Sequence, residues 1–238
     1  GIKTGMRFSD ARLLCPQIIR KPSNPKKYAK TSTQIMKILQ NISPDVEIFS
    51  VDEAFIDITN CKKIYRSPLD VACLIKDRIY SSVRLPCSIG ISENKSMAKF
   101  AAKLRKPDGI TVLNIKKAKE VLESCLVTEL CGVSKGIQKF LNAHNVYKCG
   151  DMKKIPISIL GNRYGNVGRR IWLMAQGLDY DSLKKDDKQP KSFGHGKVTI
   201  PGLKDVHMIK KIFRHMCEKV AKRMRVNNFE SNKYIIGF

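Results

Sequence analysis

The apolar patterning of this chain changes character near residue 115, and that change argues an α+β organisation built from several parts. Before it, short β-type runs and amphipathic stretches alternate irregularly. FSDARLL reads as a short helix ended by Pro16, and Asn24-Pro25 introduce a longer helix from Lys27 to Gln40. VEIFSV and AFIDIT follow as β-runs joined through Asp52 and Glu53. Next come a helix from about Leu69 to Ser82, a strand in CSIGIS, a helix from about Lys95 to Leu104 and a strand in GITVL. After residue 115 the strand signals vanish: KKAKEVLESCL, GIQKFLNAH, PISIL and GRRIWLMAQ read as successive short helices. Residues 184–191 are polar, contain a proline and carry no apolar side chain, so they read as a linker. Beyond them FGHGKVTI reads as a strand. Val206, Ile209, Phe213, Met216, Val220 and Met224 form a helical stripe opposite Lys211, Arg214, Lys222 and Arg225, and YIIGF reads as a last strand.

Charge narrows the classes of partner. The 238 residues include 45 Lys and Arg against 21 Asp and Glu, a net +24 with a pI near 9.8. So large an excess repels itself, and a polyanion offsets it. Nucleic acid leads, because each neutralised phosphate releases counterions; an anionic membrane surface is the alternative. No apolar run approaches the roughly 18–20 residues of a membrane span, and Gly1 does not open a signal peptide. The eight cysteines form no C-x-x-C pair and lack histidines at zinc spacing, so they read as small buried hydrophobes of a reducing compartment.

Three stretches carry chemistry. In SVDEAFIDIT, Asp52 and Glu53 sit where one β-run gives way to the next, and a hairpin tip can turn both carboxylates toward one cation. Hard oxygen ligands on a rigid sheet suit Mg²⁺, which takes substrate phosphates as further ligands; the alternative is an ordinary acidic turn. In CSIGISENKSMAKFAAKLRKPDGITVL, Lys95, Lys99, Lys103, Arg105 and Lys106 load one helix with positive charge. Lys106, placed in its last turn, either complements the helix dipole or binds phosphate. In LCGVSKGIQKFL, a Gly turn before a helix is similar to a helix-hairpin-helix, whose amides hold a DNA phosphate without reading bases. The usual second glycine is Ser134 here, and Lys135 can supply a direct phosphate contact. His144, His195, His207 and His215 are scattered and read as structural, and no aromatic residues interleave with the basic runs to stack bases.

Together these stretches, with GLDYDSL and KSFGHGKVT, resemble the Y-family translesion DNA polymerases of the bacterial DinB type, five motifs in order across essentially the whole chain. The resemblance implies a fingers remnant over 1–25, a partial palm over 26–114 and a helical thumb over 115–183. The linker over 184–191 then leads to the first half of an α/β little finger over 192–238. It implies that Asp52 and Glu53 are two of three carboxylates holding a pair of Mg²⁺ ions, and that Lys106 contacts the triphosphate of an incoming deoxynucleotide. Thr4, Gly5 and Met6 would line the pocket beneath the nascent base pair. Gly132, Ser134, Lys135, Lys99, Lys191 and Ser192 would contact primer-template DNA. The implied activity is error-prone synthesis across lesions, in the bacterial cytoplasm at the nucleoid, or in the nucleus if the chain is eukaryotic. A sliding clamp would be a partner of the full-length protein. The family's first metal-binding Asp, its aromatic steric gate and its Tyr-x-x-Arg pair precede the position of Gly1, so the chain reads as truncated. A non-catalytic DNA-binding remnant is therefore the rival expectation, and a metal-dependent nuclease with a helix-hairpin-helix module a third.

Overall fold

The computed structural model describes residues 1–184 and 189–237. They divide into two compact units, one on each side of residues 185–188. The linker expected over 184–191 lies mostly outside the described residues.

The first unit opens with α1 (Phe8–Leu14), a short helix burying Ala11, and α2 (Pro25–Gln40). Asn24 starts α2 by accepting from the Lys27 N–H, and Pro25 stands where no intrahelical donor is needed. β1 (Val46–Ile48) and β2 (Ala54–Ile56) pair antiparallel, Val46 opposite Ile56 and Ile48 opposite Ala54. α3 (Pro68–Val83), capped by Ser67 on the Asp70 N–H, buries Val71, Ile75 and Ile79, an i, i+4, i+8 stripe. That stripe meets Met36, Leu39 and Ile42 from α2 and its exit, and Val46, Ala54 and Ile56 of the hairpin pack against the same core.

β3 (Ile89–Ile91) and β4 (Ile110–Val112) pair parallel, with α4 (Lys95–Leu104) as the crossover. α4 lies directly on β3. A Cβ built on Gly90 would fall 1.9 Å from the Ala98 carbonyl oxygen and 2.4 Å from the Ala102 nitrogen, so only glycine allows the approach. Over the stretch expected as a partial palm, the strands of the described residues form two separate pairs. Each is closed by its own connection, a hairpin in one and a helix in the other.

α5 (Ile115–Ser124), α6 (Lys135–Ala143) and α7 (Ile157–Met174) follow with short 3-10 turns between them. Leu122, Leu141, Leu160 and Ile171 are fully or almost fully buried, and Met97, Phe100 and Ala101 of α4 join the same core. One core thus runs across residue 115, where the strand signals stop. PISIL and GRRIWLMAQ, expected as separate helices, lie on opposite sides of a kink that divides α7 into two helical segments. Gly165 breaks α7 at φ 59° and ψ −140°, a backbone conformation that a side chain would resist.

The second unit holds α8 (Val206–Val226), capped by Asp205 on the His207 and Met208 N–H groups. Its apolar stripe is half-buried from Ile209 to Met224 and its basic face is exposed, as the periodicity predicts. The strands expected at FGHGKVTI and YIIGF are not formed over the described residues. Both have β-type composition, but a strand needs a ladder partner for its N–H and C=O groups, and neither finds one here. Phe193 instead packs on Phe229, with ring centroids 5.2 Å apart.

Candidate active site

The hairpin places the acid pair. Glu53 turns its backbone carbonyl inward, where it accepts from the Phe49 and Ser50 N–H groups, both at 3.0 Å, and this closes the loop at the base of β2. Asp52 stands exposed at the tip, with its Oδ1 accepting from the Ser50 hydroxyl at 2.7 Å. Glu53 points back toward α4, where its Oε1 accepts from Lys99 Nζ at 2.5 Å. The same ammonium sits 4.7 Å from the centre of the Phe49 ring. The two carboxylates are thus neighbours in the chain with different partners.

Lys99 reaches Glu53 because α4 is anchored at its N-terminus. Asn94 caps the helix by accepting from the Met97 N–H, and its Nδ2 donates to the Gly177 carbonyl at 3.0 Å. Ser96 donates to the Asp179 carboxylate, which also receives Arg170 Nε at 3.1 Å and an Arg170 terminal nitrogen at 2.9 Å. Burial works against charge on Asp179, but the bonds from Arg170, Ser96 and the Asp181 N–H outweigh it and hold this carboxyl below the usual range. Lys95 donates to Glu47 at 2.6 Å with both side chains only 7% exposed, and reaches the Ser182 carbonyl at 3.2 Å and Asp181 at 3.4 Å. GLDYDSL, residues 177–183, is therefore a strap across the start of α4.

One turn apart along α4, Lys95, Lys99 and Lys103 present their ammonium groups to Glu47, Glu53 and Glu129. Glu53, Lys99, Lys103 and Lys106 line one cleft of about 310 Å³, floored by Phe100, Leu130 and Met174. Lys106 itself is exposed and lies two residues beyond the end of α4 at Leu104. The expectation that it occupies the last helical turn is corrected: Lys103 is the cation there, so complementing the helix dipole is not the task of Lys106. Lys99, expected on DNA, is paired with Glu53.

The other expected positions lie apart from the cleft. Met6 donates its N–H to the Lys3 carbonyl at 3.1 Å, closing a turn at Gly5, whose φ is +83°. Thr4 and Gly5 are exposed, and none of the three lines the cleft. Gly132 takes φ +90° with open space on its Cα, and Ser134 caps α6 by accepting from the Ile137 N–H, so the turn before Lys135 is solvent-facing. Lys191 and Ser192 are exposed in the second unit. Missing from the sequence reading are Glu47, Arg170, Asp179 and Asp181; Glu47, Asp179 and Asp181 meet α4 across 48 to 86 residues, and Arg170 meets Asp179 across nine. The one signal that pointed at them was the GLDYDSL stretch, which carries two of the four.

As a place for a divalent ion, the hairpin offers two hard carboxylates, one exposed and one half-exposed and already neutralised by a cation. Among the described residues no third His, Cys, Asp or Glu joins them. The donors suit Mg²⁺ in kind and fall short in number, the condition of a site completed by other ligands.

Residues 1–103 match the family model described as impB/mucB/samB. The chain is similar to the DNA polymerase IV of Pelotomaculum thermopropionicum, 35% identical over 231 residues, covering 96% of this chain and 57% of that protein. It is 30% identical to the DNA polymerase IV of a Marinomonas species, covering 99% of this chain and 67% of that protein. A Y-family DNA polymerase chimera superposes with a TM-score of 0.80 at 24% identity, over 93% of this chain and 64% of the other. DinB from Sulfolobus solfataricus superposes with a TM-score of 0.67 at 24% identity, over 77% and 55%. The chain belongs to the Y-family DNA polymerases, among relatives of the DNA polymerase IV (DinB) type. It spans between half and two thirds of the length of most of the relatives it matches. No helix among the described residues is long and apolar enough to cross a membrane.

Proposed function

We propose that this chain serves template-directed, error-prone DNA synthesis across lesions, working where the DNA is, at the bacterial nucleoid. The observation that carries the reading is the shared cleft, in which Glu53 of the acidic hairpin and Lys106 line the same space. Asp52 and Glu53 would hold Mg²⁺ together with substrate phosphates. The metal pair, when bound, supplies charge stabilisation for an in-line nucleotidyl transfer. Lys106 binds the triphosphate of the deoxynucleotide, its ammonium meeting phosphate oxygens as a compact point charge. Thr4, Gly5 and Met6 would form the floor under the nascent base pair, where small or flexible side chains leave room for a damaged template base. The open turn at Gly132, the Ser134-capped start of α6 and Lys135 bind a backbone phosphate without reading sequence. Lys191 and Ser192 add contacts to primer-template.

A second reading, non-catalytic occupation of primer-template, draws on the short ligand set around Asp52 and Glu53. Single-nucleotide insertion on a primer-template with Mg²⁺ separates the two. Extension that disappears in Asp52→Asn and Glu53→Gln supports synthesis. Salt-sensitive DNA binding without extension, unchanged by either substitution, supports occupation alone.

A further inference from the structure

We infer that Lys99 is an exchangeable counter-ion of Glu53, which a divalent cation must displace, so that it acts as a positioning residue setting how tightly the acid pair takes metal. The inference rests on the reading of Asp52 and Glu53 as metal-holding carboxylates.

Two lysines of α4 hold glutamates of the hairpin, and the contrast between them carries the argument. Lys95 and Glu47 are 7% exposed on both sides, and the pair is closed by Asp181, the Ser182 carbonyl and the Lys184 N–H, so nothing can enter. Lys99 and Glu53 are 21% and 41% exposed, and Lys99 makes no other ion pair among the described residues. Its remaining neighbour is the Phe49 face, which holds a cation without hydrogen-bonding it. This second pair borders the cleft that also contains Lys106. One pair is locked and the other stands at an open door.

An ammonium carries one charge on a flexible four-carbon stem, and its three donors are satisfied as well by phosphate as by carboxylate. A divalent ion brings twice the charge to the same oxygen. Glu53 Oε1 cannot accept the ammonium at hydrogen-bond distance and also coordinate a metal without the two cations repelling each other. Lys99 therefore leaves when metal binds. The helix that bears it stays in place, because the strap from Gly177 to Leu183 fixes the start of α4 independently of Glu53. Phosphate oxygens in the cleft that Lys99 and Lys106 both line would give the freed ammonium another partner. Without metal, the pair leaves Asp52 as the only unneutralised carboxylate of the hairpin tip.

The test titrates Mn²⁺ into the 238-residue chain and into Lys99→Met, Lys99→Gln and Lys99→Arg, counting free Mn²⁺ by electron paramagnetic resonance. Removing a half-exposed competing charge should tighten Mn²⁺ binding about fivefold or more in both neutral variants, and Lys99→Arg should return it toward wild type. The gain should vanish when Glu53→Gln is added. Circular dichroism confirms that each variant is folded, and two neutral side chains of different shape guard against an effect of packing. Equal or weaker binding in Lys99→Met and Lys99→Gln, with binding still lost in Asp52→Asn, overturns the counter-ion and leaves the metal reading standing. Binding indifferent to Asp52 and Glu53 overturns the metal reading and the inference with it, and binding absent from every chain, the neutral variants included, overturns the counter-ion while leaving a metal site that substrate phosphates complete.

Discussion

Neutralising Glu47 should unfasten the first unit, because its carboxylate is the main partner of a buried ammonium. Lys95 Nζ lies 2.6 Å from Glu47 Oε2, and both side chains are 7% exposed. Breaking such a pair by removing one charge costs about 3–5 kcal/mol, since the other is left buried. In Glu47→Gln, however, Lys95 keeps Asp181 at 3.4 Å and the Ser182 carbonyl at 3.2 Å. Those partners offset part of the loss, which leaves about 2–3 kcal/mol. Lys95→Met is the harsher change. It strands Glu47 with a single donor, the Lys184 N–H at 2.8 Å, and should cost about 3–4 kcal/mol. The double variant removes both charges together and should cost less than the sum by about 1.5–3 kcal/mol, as coupled neighbours do. Trp172 is the one tryptophan of the sequence, and its Nε1 donates to the Ile155 carbonyl at 2.9 Å, so its fluorescence in urea follows the first unit alone. With a urea slope of about 1–3 kcal/mol/M, Glu47→Gln should lower the midpoint by about 1–2 M. Costs that add within about 0.5 kcal/mol, or singles below about 1 kcal/mol, would refute the pair as the fastening of α4.

Three shorter expectations follow from other parts of the molecule. DNA binding measured by fluorescence anisotropy should weaken steeply with salt and be indifferent to sequence, and Lys135→Ala should reduce the log–log salt slope by about 0.9. Lys106→Ala should leave the melting temperature within the small range of surface substitutions, because the residue lies beyond α4. In single-nucleotide insertion by a polymerase carrying it, the same change should lower kcat/KM by about one to two decades, with Lys106→Arg recovering part. The Asp151 carboxyl is held down to about 2, by the Lys154 ammonium first and by the Lys148 and Tyr147 N–H groups. A depressed carboxyl stabilises the fold fully above its unfolded value of about 3.9 and loses that contribution as pH falls through the folded value. Asp151→Asn should therefore flatten the acid side of the stability profile between about pH 4 and pH 2 and lower stability at neutral pH.

The helices were legible where local chemistry marks both ends. α4 runs from Lys95 to Leu104 as its pattern predicts, because Asn94 caps it and Met97, Phe100 and Ala101 recur on one face. α1, which has no side-chain cap, was readable from FSDARLL and the Pro16 that follows it, and the hairpin followed from two β-runs divided by polar residues. Strands in the second unit were misread because β-type composition states a preference, whereas a ladder requires a partner that composition does not name. The acid pair was visible as adjacent carboxylates between apolar runs. What holds it was not: Lys99 meets Glu53 across 46 residues and Lys95 meets Glu47 across 48, and no local pattern marks those contacts. Glu47 in particular sits in VEIFSV as an ordinary polar residue of an alternating strand, and only burial reveals its task.

These pairings also change where the positive charge of the chain is spent. Read linearly, α4 and its exit form a dense basic segment, five cations in twelve residues from Lys95 to Lys106, and look like a surface for DNA. In the folded chain Lys95, Lys99 and Lys103 each face a glutamate, the first pair buried and the other two progressively more exposed, so most of the helix's charge is paired within the fold. A charge already paired releases fewer counterions when a phosphate approaches, so α4 would contribute less than its sequence suggests to the salt dependence of the proposed DNA binding. Exposed cations elsewhere would contribute more, among them Lys135 and Lys139 near the open turn and Lys211, Lys222 and Arg225 of α8. Lys106 has no ion pair in the described residues and opens onto the cleft beside Glu53, whereas Arg105 does not line it, and on this ground Lys106 is the cation of the segment proposed for the nucleotide.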